Sequence, residues 1–117
     1  MTNKAVHSAL TEITLNNENF QRLFSDHKCT SVRLGNKDIT PGAAMVRNVD
    51  TGETLPINIW YVNHCLLSDL ELNDARLDGF ATVEDMKAAL RRAYQRPISD
   101  REAVTQIHFD AVKSVAA

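Results

Sequence analysis

Ala43-Ala44-Met45-Val46-Arg47-Asn48-Val49, then Asp50-Thr51-Gly52-Glu53, then the apolar-rich run from Leu55 to Leu67, is the stretch from which the fold follows. The two runs, joined by a short polar connector containing glycine, read as two strands and a hairpin. Pro56 carries no N–H to donate, which suits a strand start or a sheet edge. Trp60 and Tyr61 are adjacent in the second strand. A regular pleat would send them to opposite faces, one of them into the core.

Working outward, Thr40-Pro41-Gly42 is a turn leading into the first of these strands. Upstream of it, Thr30-Ser31-Val32-Arg33-Leu34 alternates in character and reads as another strand. Before that strand, Asn16 or Asn17 can cap a short helix whose apolar positions Phe20, Leu23 and Phe24 fall at i, i+3 and i+4. Downstream, Thr82 and Asp85 have N-cap spacing. Val83, Met86, Leu90, Ala93 and Tyr94 follow a 3.6-residue period, and Pro97 ends the helix. A closing strand over about 103–112 places Thr105, Ile107, Phe109 and Ala111 on one face and Val104, Gln106 and His108 on the other.

Several strands with few strand–helix–strand crossovers predict an α+β domain: a small mixed sheet, curled or closed into a barrel, flanked by two or three short helices. The predicted organisation is a loosely ordered N-terminal arm over 1–15, the domain over 16–112 and a short tail over 113–117.

A chain of 117 residues holds one core of this kind. Apolar residues at 44% and charged residues at 24% are ordinary for a globular domain and argue against wholesale disorder. No apolar run reaches the length that crosses a bilayer, and Met1-Thr2-Asn3-Lys4 opens no signal-peptide region, so a cytoplasmic protein with no membrane partner is expected. The net charge of -2 argues against a protein that grips duplex nucleic acid through many phosphates. A local basic patch or a pocket for one nucleotide remains compatible with it. Cys29 and Cys65 show no zinc spacing and are expected as reduced, partly buried thiols. His7, His27, His64 and His108 show no metal-ligand spacing either, so neither metal nor cofactor is expected.

Four local features recur in a fixed order: His27-Lys28-Cys29-Thr30-Ser31-Val32-Arg33, Ile39-Thr40-Pro41-Gly42, the segment from Ala75 through Asp78-Gly79-Phe80 to Asp85, and Val104-Thr105-Gln106-Ile107-His108-Phe109. Together, over about residues 20 to 110, they resemble the ASCH family, whose fold is a small PUA-like β-barrel. Some small bacterial members are amidohydrolases that remove the acetyl group from N(4)-acetylcytidine, with a site of lysine, a hydroxyl residue three positions later and an acidic residue before a Gly-Phe-like region. Carried over by the resemblance, these positions are Lys28, Ser31 and Asp78. Serine replaces the family's threonine and aspartate its glutamate. Other members are described as RNA-binding or RNA-cleaving.

The residue chemistry is compatible with that site. Ser31 and Arg33 share one face of their strand, opposite Thr30, Val32 and Leu34. A serine hydroxyl becomes a nucleophile when a base takes its proton, and a desolvated lysine such as Lys28 can be that base. Arg33 offers a planar fork to a carbonyl or phosphate oxygen. Asp78 can orient the lysine or support proton transfer, or be a plain turn residue before Gly79. Trp60 or Tyr61 can stack on a base. Lys87, Arg91, Arg92, Arg96 and Arg101 give the second helix and its exit a basic face, either a solvated one paired with Glu84 and Asp85 or an RNA-backbone patch. The expected function is hydrolysis of an acetylated nucleoside. The alternatives are a non-catalytic RNA-binding module and a ribonuclease, so the partner is a modified nucleoside or RNA.

Overall fold

The computed structural model of the protein describes residues 11–25 and 30–112. Five strands form one sheet: β1 (Thr11–Leu15), β2 (Thr30–Leu34), β3 (Gly42–Asn48), β4 (Thr54–Leu66) and β5 (Ala103–Ala111). Three helices accompany them: α1 (Asn17–Ser25), α2 (Leu72–Leu77) and α3 (Val83–Tyr94). The strand order is β1-β3-β4-β5-β2, with β1 parallel to β3 and every other pairing antiparallel. The expected class holds: an α+β domain whose mixed sheet curls into a half-barrel.

The sheet has two covered faces. On the concave side, Ile13, Leu15, Ala44, Val46, Ile57, Ile59, Ile107 and Phe109 pack against Phe20 and Leu23 of α1. On the outer side, Val32, Leu34 and Val104 pack against Met86 and Leu90 of α3, with Leu67, Leu70 and Ala75 between. β5 is the shared wall, so Val104, Thr105, Gln106 and Ile107 are all buried. Each fully buried Leu, Ile or Phe contributes about 1.5–3 kcal/mol, so the two clusters supply most of the driving force for folding.

Local chemistry fixes the ends of the elements. Asn16 caps α1, its Oδ1 accepting from the Asn19 N–H at 2.9 Å, while Asp50 accepts from the Asn17 N–H at 2.7 Å. Asn48 is fully buried at the β3–β4 turn, and its amide is satisfied on both sides. Its Oδ1 accepts from the backbone N–H of Asp50 at 2.9 Å, and its Nδ2 donates to Asn17 at 2.9 Å. The hairpin is thereby tied to the start of α1. Thr82 caps α3 by accepting from the Asp85 N–H at 3.0 Å, and Gln95 ends it in the left-handed region, two residues before Pro97.

Two expectations are corrected. Residues 11–15 are not part of an arm but form β1, with Ile13 and Leu15 buried. Two apolar residues give too short an alternation to register in sequence, and the pairing with β3 joins segments some thirty residues apart in the chain. The rest of the expected arm, residues 1–10, and the tail over 113–117 lie outside the described residues. Trp60 and Tyr61 do not point to opposite faces. The register of β4 on β5 shifts between Ile59 and Tyr61, and this bulge turns both rings outward, 53% and 50% exposed. Neither ring is core.

Among the described residues, no helix is long and apolar enough to cross a membrane. Cys65 is a free, partly buried thiol whose pKa is pushed up by burial, as expected of a small hydrophobe, while Cys29 lies outside the described residues.

Candidate functional site

β1 and β2 are the two open edges of the sheet, and curling brings them face to face. Arg33, half-buried on β2, reaches across the seam and donates to the backbone carbonyl of Thr14 on β1. Among the described residues, β1 and β2 are not paired in the sheet, and the Arg33 guanidinium spans the gap between them. α3 lies along the same seam, and its Tyr94 hydroxyl accepts from the Leu34 N–H at 3.1 Å, satisfying a donor that the free edge of β2 would otherwise leave open.

The cleft so enclosed has a volume of about 420 Å³, within the range of small-molecule sites. Ser31, Val32 and Arg33 from β2 line one wall, and Thr14 and Leu15 with Asn16 and Asn19 line another. Asp78 and Phe80 enter from the connection between α2 and α3, and Ala89, Ala93 and Tyr94 form the α3 side. Ser31, on the concave face opposite Ile107, is only 5% exposed. The small side chains of Ala89 and Ala93 keep the helix from filling the space.

Asp78 reaches the cleft because of how α2 ends. The Phe80 N–H donates to the Ala75 carbonyl at 2.8 Å and the Gly79 N–H to the Arg76 carbonyl at 3.0 Å, with Gly79 at φ +91°. This is the Schellman pattern of helix termination, and it requires glycine at residue 79. The cap that ends α2 thus also brings the buried side chain of Asp78 to the cleft. A side chain on Gly79 would collide with the guanidinium of Arg22, whose Nη2 lies 1.3 Å from where a Cβ would stand. Burial pulls the Arg33 guanidinium below its ordinary pKa, and the negative charge of Asp78 opposes that pull. Arg33 and Asp78 therefore feel one another across the cleft.

Of the residues singled out in sequence, Ser31, Arg33 and Asp78 come together. Lys28 lies outside the described residues. Trp60 and Tyr61 do not line the cleft; they stand on the outer face of the sheet with His108, at ring-centroid distances of 6.3 Å from each other and 5.0 and 5.4 Å from the imidazole. Burial lowers the pKa of His108, against the charge of Asp74. Beside this cluster the buried Gln106 donates to Asp74 at 3.0 Å and accepts from Asn63 at 3.4 Å. The basic face of α3 is partly spoken for. Lys87 pairs with Asp100 at 2.9 Å and Glu84 at 3.7 Å, and Arg96 with Glu102 at 2.7 Å, while Arg91 and Arg92 are exposed. Asn19, Phe80 and Tyr94 were not expected in the site. Tyr94 reads as one more apolar position on its helix, and only its hydroxyl, which needs a partner when packed, hinted otherwise.

This architecture is shared with solved structures. It superposes on an ASCH domain from Lactobacillus crispatus JV V101 with a TM-score of 0.69, at 15% identity over 94% of this chain and 86% of that one. The fold is ASCH-like. Protein EF3133 from Enterococcus faecalis V583, of family DUF984, matches with a TM-score of 0.67 at 11% identity, covering 89% and 81% of the two chains. Hypothetical protein PH0355 matches with a TM-score of 0.61 at 16% identity, covering 89% of this chain and all of that one. No family model and no curated protein matches the sequence. Likeness at such low identity carries the ASCH-like fold and nothing of the activity.

Proposed function

We propose that the protein is an amidohydrolase acting on an acetylated nucleoside such as N(4)-acetylcytidine, releasing cytidine and acetate. The observation that carries this is the convergence of Ser31, Arg33 and Asp78 on one cleft of about 420 Å³. The rings of Phe80 and Tyr94 on its walls offer faces against which a base can stack.

In this reading Ser31 Oγ attacks the acetyl carbonyl, and its proton passes to the neutral amine of Lys28, three residues earlier in the chain. The carbonyl π electrons move to oxygen, and the Arg33 guanidinium donates to the oxyanion. As the tetrahedral intermediate collapses, the bond from carbon to the exocyclic nitrogen breaks and Lys28 returns the proton to that nitrogen. Cytidine leaves, and water hydrolyses the acetyl-serine to acetate. Asp78, a carboxylate within the field of Arg33, holds the lysine while it is protonated and favours the charge it gains. The binding-only reading gains less support, because Lys87 and Arg96 of its basic patch already have carboxylate partners within the chain.

The test is chromatographic. Purified protein incubated with N(4)-acetylcytidine is expected to release cytidine, and Lys28→Ala to abolish the release. An unchanged substrate peak with the wild-type protein, or full turnover by Lys28→Ala, removes the proposal.

A further inference from the structure

The seam between β1 and β2 holds a second, smaller hollow of about 250 Å³, lined by Glu12, Ile13, Thr14, Arg33, Lys37, Ile39 and Tyr94. Thr14, Arg33 and Tyr94 line both hollows. The two hollows therefore adjoin along Arg33, Thr14 and Tyr94.

The charge of the smaller hollow is uneven. Its single carboxylate, Glu12, receives two hydrogen bonds from Arg47, at 2.7 and 3.1 Å, which hold its pKa below the usual value. That acid is already answered by a cation outside the hollow. Arg33 and Lys37 remain, and the neighbouring Asp38 is exposed and takes no part in the lining. One N–H of Arg33 goes to Thr14, leaving further donors of the guanidinium fork.

Lys37 is also anchored at its backbone. Its N–H donates to the hydroxyl of Thr105 at 2.8 Å, and that hydroxyl in turn donates to the Gly35 carbonyl at 2.8 Å. Thr105 is fully buried on β5, so one satisfied hydroxyl pins the loop that leaves β2 to the middle of the sheet. The exposed Lys37 side chain springs from a backbone position so anchored, in a hollow that Arg33 also lines and that adjoins the proposed base pocket.

We infer that this second hollow is an anion subsite that receives the 5′-phosphate of a nucleotide whose base occupies the larger cleft. This rests on the proposed nucleoside reading and sharpens its substrate class from nucleoside to nucleoside 5′-monophosphate. Lys37 supplies the point charge that meets the phosphate, while the Arg33 guanidinium adds positive potential from the shared wall and keeps its donors for the carbonyl in the larger cleft.

Binding tests the subsite without relying on catalysis. Titration calorimetry with cytidine and with cytidine 5′-monophosphate is expected to show the monophosphate binding at least tenfold more tightly, the difference shrinking as salt rises. Lys37→Ala should bring the monophosphate down to the affinity of cytidine and leave cytidine itself unchanged. Lys37→Arg should restore most of the difference. Equal affinities in the wild-type protein, or a difference that survives Lys37→Ala, would overturn the inference. Retention of the phosphate preference by a protein that does not hydrolyse N(4)-acetylcytidine would support the subsite while removing the proposed reaction.

Discussion

The seam and the outer aromatic face display their residues in opposite ways. At the seam, Ser31 and Asp78 are almost fully buried and share a cleft with Arg33. On the outer face, Trp60 and Tyr61 stand half in solvent, against one another and His108. A concave, partly dry site strengthens every charge within it, whereas a flat, wet surface offers stacking area and little else. The proposed reaction calls for polar groups buried together, which the seam has and the outer face lacks.

The most demanding way to break that contrast is to remove one member from each side. Ser31→Ala is expected to lower kcat for acetylcytidine hydrolysis by about 10³-fold or more, as loss of a nucleophile does. Trp60→Ala and Tyr61→Ala should leave it within about twofold. Steady-state kinetics on the three variants checks this. The reverse pattern would move the active site to the outer face.

The contrast also extends to stability. Gly79→Ala forces an L-residue into φ +91° and displaces the Arg22 guanidinium. We expect it to destabilise the fold by about 1–3 kcal/mol and to lower activity as well, because the same turn brings Asp78 to the cleft. Trp60→Ala, with its ring half in solvent, should cost less. Urea denaturation of both variants decides the order.

How much of this was legible in the sequence depended on whether the information was local. Hairpin, capped helix and closing strand could be read because each is specified by neighbours: Asp50 to Glu53 for the turn, Thr82 with Asp85 for α3, alternation over 103–112 for β5. β1 could not, since its pairing with β3 is a long-range contact between short segments. The outward placement of both Trp60 and Tyr61 was hidden because a bulge is one extra residue in a ladder, with no signature in composition. In the candidate site, Ser31 and Asp78 were singled out through a resemblance, and Arg33 because strand alternation puts it on the face of Ser31. Asn19, Phe80 and Tyr94 were missed because nothing in periodicity tells a residue that fills a core from one that walls a cleft.

Adjacent hydroxyls on β2 sharpen the comparison at smaller scale. Ser31 faces the cleft, while Thr30 faces the outer side, opposite His108, with its Oγ1 buried and without a hydrogen-bond partner among the described residues. A hydroxyl buried in that state costs about 1–3 kcal/mol in lost solvation. Thr30→Val keeps the shape and removes the cost. It should raise stability by about 1 kcal/mol in denaturant titration without changing kcat, and a fall in stability would mean that the hydroxyl is satisfied in solution.

The smallest effect expected concerns charge at the rim. Hydrogen bonds from Arg96, then from the Ser99 N–H, hold the Glu102 carboxyl down to about 2, against an ordinary value of 4.5. A folded-state pKa below the unfolded one means that the contribution is complete above about pH 4.5 and disappears as the pH falls toward 2. Because the pair is exposed, salt should weaken it. Thermal melts between pH 5 and pH 2 are expected to fall less steeply for Glu102→Gln than for the wild-type protein, and the gap between the two should narrow in high salt. Parallel curves would show that the pair adds nothing to the fold. Arg96 would then be as free as Arg91 and Arg92 to meet a polyanion, and the case for a nucleotide over RNA at the neighbouring cleft would weaken.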